Sequence, residues 1–422
     1  MIKMVPYEKM VILIIFVGCY ALALSRKMKT AYASLGASFF LLALGLLKPE
    51  DAILRAIKWD VLGIYWGFMM VSFVFAESRM PELIANKIIT KTKTEKYAII
   101  AMCTVTAFFS AFMENVGVVL IMAPIAIAIA KRFGSSLFPY LVSIAISSNV
   151  VTTVTMIADP PAIILALQTG MKPLDFYWFQ GKLGLGTLSL FGVATALLTL
   201  LFQFRKMNKK VEISSERIDV TWSATILFVV GVAVLAIGPE VGIRPGIVGL
   251  TVGVIALLIG RTKIREMVLG FDWNSFFFIV GVFMVIYSVN KAGILQDFAN
   301  ILVHSVIRDP TVILAFLVWL SVSLSSFIDN VPYTVLMIPV CQELANLTGV
   351  SPWPLLYGML VGTGIGGNIT PVGAAANVFA CGILEKHGYK IKLKEFIKIG
   401  LPFSVVAVAT VHLLLQIIWL SQ

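Results

Sequence analysis

Two acid–amide pairs sit deep in apolar sequence, Glu114-Asn115 within 97–130 and Asp329-Asn330 within 311–343. An ionisable side chain at membrane depth costs roughly 2.5–3.5 kcal/mol or more, so it is normally paired, facing water, or functional. A carboxylate there can take up a proton or hold a cation, and the amide beside it can complete a coordination shell. Sodium near Asn115 and Asn330 is therefore a candidate occupant. The competing reading is a helix cap, a position that Asp and Asn suit. The two roles are compatible, because helix N-termini at such a tip also offer free N–H groups to an anion.

A second pair of motifs follows the acids. The first runs Ser147-Ser148-Asn149-Val150-Val151-Thr152-Thr153-Val154-Thr155 to Asp159-Pro160-Pro161. Two prolines lack N–H donors and cannot continue a helix. Backbone freed by such a break survives at membrane depth only against protein or a wet cavity. The hydroxyls and Asn149 can replace the lost bonds; the alternative is a kinked helix whose Ser and Thr bond back to its own carbonyls. The other motif runs Gly362-Thr363-Gly364-Ile365-Gly366-Gly367-Asn368-Ile369-Thr370-Pro371-Val372-Gly373 to Asn377. Its glycines and proline oppose a stable helix and favour a loop that approaches a ligand closely. Tight packing through small residues is the alternative. It accounts for Gly364 and Ala374 to Ala376 but not for Asn368, Thr370 and Pro371.

These motifs come in duplicate. Ser110-Ala-Phe-Met-Glu114-Asn115-Val116 with Met122-Ala-Pro124 returns as Ser325-Ser-Phe-Ile-Asp329-Asn330-Val331 with Met337-Ile-Pro339. Trp59-Asp60 with Gly67 returns as Trp273-Asn274 with Gly281. Paired, interrupted apolar segments in two copies point to a secondary transporter whose site lies where the halves meet.

The elements that would position these residues are membrane helices. The chain is 59% hydrophobic and 13% charged, with a mean hydropathy of +0.95, too apolar for a soluble protein of this size. Apolar stretches recur at 10–25, 31–47, 61–76, 138–158, 183–203, 221–238, 245–260, 274–289, 312–328, 355–384 and 399–420. The expected fold is an all-α polytopic membrane protein of two inverted repeats, each with a re-entrant hairpin and a broken transmembrane helix. The first repeat covers 1–204, a cytoplasmic linker 205–221, and the second repeat 222–422. Amphipathic segments at 79–95 and 291–307 should lie in the interface. The run at 10–25 reads as a retained first helix rather than a signal peptide, since Arg26-Lys27 follow at once.

The net charge of +11 belongs to loops rather than to a nucleic-acid face. With both termini outside a plasma (inner) membrane, 23 of the 33 Lys and Arg fall in cytoplasmic loops, as the positive-inside rule requires. Cys19, Cys103, Cys341 and Cys381 lie far apart and signal neither disulfide nor zinc. The three histidines have no partners at ligand spacing. There is no nucleotide-binding glycine loop, no His-Glu-x-x-His and no other catalytic spacing, so neither an enzyme nor an ATP-driven pump is indicated.

These residues resemble the ion transporter superfamily, most closely its arsenite-permease and pink-eyed-dilution (P) protein branch; divalent-anion/sodium symporters are more distantly similar. Phe327-Ile328-Asp329-Asn330-Val331-Pro332 and Gly366-Gly367-Asn368-Ile369-Thr370-Pro371-Val372-Gly373 carry the resemblance most specifically. It implies a homodimer of protomers with a scaffold and an elevator-like transport domain. The mobile part would hold Glu114, Asn115, 147–162, Asp329, Asn330 and 363–377. The first half departs from the pattern: the usual Asn-Ile-Gly-Gly-Thr-Ala-Thr is Asn149 to Thr155 with Val151 and Thr152 in place of the glycines. The usual Gly-Asp-Pro-Pro-Asn ends here in Ala162. A stiffer, less polar first half-site is expected. Acid-Asn-Val also replaces the symporters' Ser-Asn-Thr tip in both halves. The resulting expectation is proton- or sodium-coupled transport of a small inorganic solute, arsenite, antimonite or a small anion. Sodium/proton antiport is the alternative and a passive channel a weaker one. No resident cofactor or metal is called for beyond a coupling H+ or Na+.

Overall fold

The computed structural model describes residues 6–25, 28–157, 159–210, 218–294, 297, 309–327 and 330–420. In the first half these form α1 (Pro6–Ser25), α2 (Thr30–Ala43), α3 (Trp59–Glu77), α4 (Met80–Ile89), α5 (Glu95–Ser110), α6 (Asn115–Phe133), α7 (Phe138–Asn149), α8 (Pro160–Thr169) and α9 (Leu185–Gln203). In the second half follow α10 (Trp222–Ile237), α11 (Pro245–Ile259), α12 (Ile264–Gly270), α13 (Trp273–Lys291), α14 (Pro310–Ser325), α15 (Asn330–Thr348), α16 (Pro352–Gly366), α17 (Ala375–Lys386) and α18 (Leu393–Leu415). Short helical turns occupy 49–56, 173–176 and 238–241. Proline opens α8, α11, α14 and α16, where its fixed φ suits the first turn and its missing N–H leaves nothing unsatisfied. Among the described residues the departures from an all-helical chain are small. One is a two-residue hairpin, Trp178–Phe179 with Lys182–Leu183; the other is a bridge between Thr94 and Lys210.

Among the described residues six helices are long and apolar enough to cross a membrane, α3, α6, α9, α10, α13 and α18, with α10 and α18 counted together with their short extensions to Val241 and Leu420. A seventh span results if α11 and the segment 261–270, which meet at 84°, count as one. That is fewer than the apolar stretches in the sequence. α2, α8 and α14 have 14, 10 and 16 residues, which at 1.5 Å per residue fall short of a hydrocarbon core of about 30 Å.

Helices from the two halves pack reciprocally. α11 lies along α3, and α2 lies along α13. The contact is backbone to backbone. A Cβ on Gly67 would run into the Gly249 carbonyl, one on Gly63 into Gly246, and one on Gly281 into Ser34. The duplicated Trp-Asp/Asn motif now has a role. Asp60 Oδ1 accepts the N–H of Gly246 at 3.2 Å, at the start of α11. Asn274 Oδ1 accepts the N–H of Ala31 at 3.2 Å, at the start of α2. Each half therefore caps a helix of the other. The tryptophans repeat one bond as well: Trp59 Nε1 donates to the Ile53 carbonyl at 2.8 Å and Trp273 Nε1 to that of Val268 at 2.7 Å.

One expectation needs adjustment. The helix α16 runs unbroken through Gly362, Gly364 and Gly366, so the interruption begins only at Gly367. Gly358, Gly362 and Gly366, four residues apart, press against Val318, Ser321 and Val322 of α14; burial against a neighbouring helix outweighs the weak helix propensity of glycine. The linker is docked where it is described. Glu95 N donates to Lys209 O at 3.0 Å and Lys96 N to Met207 O at 3.0 Å, while Lys209 Nζ reaches the Phe133 and Gly134 carbonyls ending α6. The amphipathic segment after α3 forms α4; its counterpart at 291–307 lies almost wholly outside the described residues.

The glycine seam makes a direct prediction. Gly67→Ala should cost about 1–3 kcal/mol or more by forcing α3 and α11 apart. Gly18→Ala, where nothing lies within 4 Å of the new Cβ, should be neutral or stabilising by up to about 1 kcal/mol. Melting of the two purified variants in detergent separates the cases.

Candidate functional site

Four helix starts converge on one cavity of about 320 Å³: Asn115 of α6, Pro160 of α8, Asn330 of α15 and Ala375 of α17. Facing them are Tyr20 and Ala23 of α1, Thr30 of α2, Tyr65 of α3 and Asp272 and Ser275 at the start of α13. Three carboxylates, Glu114, Asp159 and Asp272, line the cavity, and none of the described lining residues is Lys, Arg or His. Glu114 also acts as a cap, its Oε2 accepting the Gly117 N–H at 2.9 Å. Asp272 caps α13 through the Ser275 N–H at 3.0 Å. The site and cap readings of Glu114 thus coexist in one side chain. Asp329 lies outside the described residues.

Behind the cavity is a buried chain of amides. Ser110 Oγ donates to Asn115 Oδ1 at 2.6 Å, and Asn115 Nδ2 donates to Asn149 Oδ1 at 3.1 Å. Asn149 Nδ2 in turn donates to Asn368 Oδ1 at 2.8 Å and to Asn377 Oδ1 at 3.0 Å. The second-half asparagines spend their own N–H groups on broken backbone. Asn368 Nδ2 reaches the Ile146 carbonyl at 3.1 Å, and Asn377 Nδ2 reaches those of Gly367 and Thr370 at 3.0 and 2.9 Å. One residue, Asn149, joins the first hairpin tip to both sides of the second break.

The two halves repeat their bonds 215 positions apart. Ser325 Oγ lies 2.6 Å from Asn330 Oδ1, as Ser110 does from Asn115. Thr370 Oγ1 donates to the Ser326 carbonyl at 2.6 Å, as Thr155 Oγ1 does to that of Ala111. Each break is thus tied to the turn between the two helices before it. Gly364 occupies the position of Asn149 in this register, so the second half has no amide at the place from which Asn149 bridges the halves.

The cavity collects Glu114, Asn115, Asn149, Asp159 and Asn330 of the residues singled out in the sequence. Asn368 and Asn377 stand behind it, fully buried. Others turn away. Ser148 and Thr363 bond back to the Ala145 and Met359 carbonyls of their own helices, and Thr153 pairs with Ser189 at 2.8 Å. Thr152 is buried with no partner for its hydroxyl among the described residues, against Gly364. Pro371 is half-buried in the break but does not line the cavity. Gly366 and Gly367 have φ near −58° and −56°, so left-handed backbone does not explain them. Close approach does: a Cβ on Gly367 would sit 2.9 Å from the Gly373 carbonyl. The sequence reading missed Tyr20, Thr30, Tyr65, Asp272 and Ser275. One signal was available for Asp272, which precedes the duplicated Trp273-Asn274 where the first copy has Lys58 before Trp59.

Asn149→Ala should leave Asn115, Asn368 and Asn377 each short of a partner, at about 1–3 kcal/mol for each orphaned group, with less than full additivity. Thr153→Ala should cost roughly 1 kcal/mol, one neutral hydrogen bond. Thermal unfolding of the two variants checks the ranking; an Asn149→Ala protein as stable as Thr153→Ala would remove the amide chain from the account of the site.

Comparison with known proteins agrees with this architecture. The chain is 26% identical over 421 residues to an uncharacterized transporter of Mycobacterium tuberculosis, covering 96% of this chain and 97% of that one. It is 25% identical to the P protein of Homo sapiens, covering 93% of this chain and 58% of the longer protein. Its fold is similar to that of the YdaH transporter of Alcanivorax borkumensis, with a TM-score of 0.60 at 13% identity over 98% of both chains. It is equally similar to MtrF of Neisseria gonorrhoeae, described as illuminating a class of antimetabolite efflux pumps, with a TM-score of 0.60 at 11% identity over 99% of this chain and 96% of that one. Residues 20–362, most of the chain and all of the cavity's first-half wall, match the citrate transporter family, and the chain belongs to that family of multi-pass membrane transporters.

Proposed function

We propose that the protein is a secondary active transporter that carries a small, oxygen-rich solute through the cavity between α1–α3 and α13 on one side and the starts of α6, α8, α15 and α17 on the other. The observation that carries this reading is the lining: three carboxylates and four helix N-termini with no basic side chain among the described residues. A free citrate trianion has no cationic partner there. A neutral hydroxylated solute such as arsenite or antimonite, or a small anion neutralised by protons or a bound cation, fits the chemistry better. Backbone N–H groups at the helix starts other than the Pro160-Pro161 start of α8 suit the solute's oxygens, and the acids suit its hydroxyls or an accompanying ion.

The carboxylates supply the coupling in this reading. Each is neutralised by H+ or Na+ before the loaded site crosses the membrane, since an unpaired charge in that path is costly. Sodium binds beside the acids with Asn115 and Asn330 as neutral oxygen donors. Sodium/proton antiport is the second reading, favoured by the same acids: a cavity without basic residues serves a cation on its own. The repeats are inverted, with α3 running inward and α13 outward, as the basic loops suggest. The residues Ala23, Thr30 and Asp272 then put the cavity mouth on the cytoplasmic side. The elements α5–α8 and α14–α17 move as one elevator against the scaffold of a homodimer in the plasma (inner) membrane, both termini outside.

Reconstituted into liposomes, the protein should move labelled solute under an imposed proton or sodium gradient. Glu114→Gln and Asp329→Asn should each flatten the pH dependence of uptake while leaving the melting temperature within a few degrees of the parent. Sodium-driven acidification with no solute uptake would favour antiport. Uptake with unchanged pH dependence in both variants would leave these acids as helix caps only.

A further inference from the structure

The hydroxyl of Tyr20 donates to the backbone carbonyl of Pro332 at 2.8 Å. The bond joins α1 to the first turn of α15, three residues from Asp329, and both residues line the cavity. The Tyr20 ring is held from behind by Phe16, one turn earlier, with ring centroids 4.7 Å apart. The tyrosine is therefore fixed on its own helix before it reaches across. Its partner is a main-chain oxygen, which ordinary side-chain substitution at 332 cannot remove.

The corresponding place in the other half has no such bond. In the register of the repeats Tyr20 falls on Val234 or Leu235, and Pro332 falls on Gly117. Neither aliphatic side chain can donate a hydrogen bond. The duplicated elements are thus alike in their internal bonds, Ser110–Asn115 against Ser325–Asn330, but only one tip is tied to a scaffold helix by a side-chain hydroxyl among the described residues. In a protein that alternates between two arrangements of duplicated halves, a bond available to one arrangement only weights the equilibrium toward it.

We propose that Tyr20 is a positioning residue that latches the first turn of α15 to α1 in the arrangement seen here, and so sets the resting balance between the two faces of the transporter. The latch rests on the transporter reading of the cavity. The net worth of one hydrogen bond in a folded protein corresponds to about a fivefold change in an equilibrium. Tyr20→Phe deletes the hydroxyl and keeps the ring against Phe16, so the balance should move by about that factor with little loss of packing.

The test uses the full-length protein carrying Val378→Cys, an exposed cavity-lining position; the four native cysteines are buried. A membrane-impermeant maleimide is applied to inside-out and to right-side-out vesicles, and the ratio of the two labelling rates reads the balance between faces. Tyr20→Phe should change that ratio about fivefold, away from labelling in inside-out vesicles, which reads the cytoplasmic opening of the latched arrangement. Labelling from both faces with an unaltered ratio overturns the latch alone. A drop in melting temperature with an unaltered ratio does the same and leaves Tyr20 a packing residue. Labelling from a single face in both proteins overturns alternation, and the latch with it.

Discussion

The structure depends on one constraint: backbone that leaves a helix inside an apolar medium must find its partners within the protein. The two breaks meet this demand with side chains from the elements around them. Asn377 takes the carbonyls of Gly367 and Thr370, Asn368 takes that of Ile146, and Thr370 and Thr155 hold the carbonyls of Ser326 and Ala111. A second consequence follows from the same rule. Once carbonyls and amides are used up internally, the groups left for a ligand are those at the edge of the network, at the helix starts and the acids beside them. The network therefore decides what faces the cavity as well as what keeps it open.

The halves reach this outcome by different chemistry. The start of α8 is Pro160-Pro161, which offers no N–H at either position, and Asp159 precedes it; the start of α17 is Ala375-Ala376 after Ala374. One side of the cavity is consequently rich in acceptors and the other retains backbone donors. The amide chain through Asn149 adds to the difference, because glycine at 364 has no amide to match it. The near-identical bonds at the tips coexist with this divergence because they fix the backbone, while the helix starts that differ line the cavity.

Much of this was legible in the sequence. The first acid–amide tip, the two breaks and the convergence of five predicted residues on one cavity all follow from apolar patterning interrupted by residues that cannot stay in a helix. What the sequence hid falls into two kinds. The glycines of α16 looked like a break because propensity is a local quantity, whereas Gly362 and Gly366 answer to the backbone of α14. The scaffold wall was missed because Tyr20, Tyr65 and Thr30 are ordinary residues in ordinary helices, and only packing shows that they face the acids. Ser148 and Thr363 illustrate the converse, since a hydroxyl in a helix can satisfy itself on the carbonyl three or four residues back, as these two do.

The exchanged caps carry a consequence for how the chain comes into being. Asp60 completes the start of α11, and Asn274 completes the start of α2. A helix synthesised early thus waits for a residue some 240 positions later before its first turn is satisfied. During that interval the first half presents an open seam of small residues, self-complementary in shape to its own later copy. Reciprocal contacts of this kind are what an isologous dimer interface has, so the polypeptide is in effect a dimer joined by a tether. Neither α2 nor α11 is completed at its start from within its own half of the chain, so each depends on the other half for its first turn.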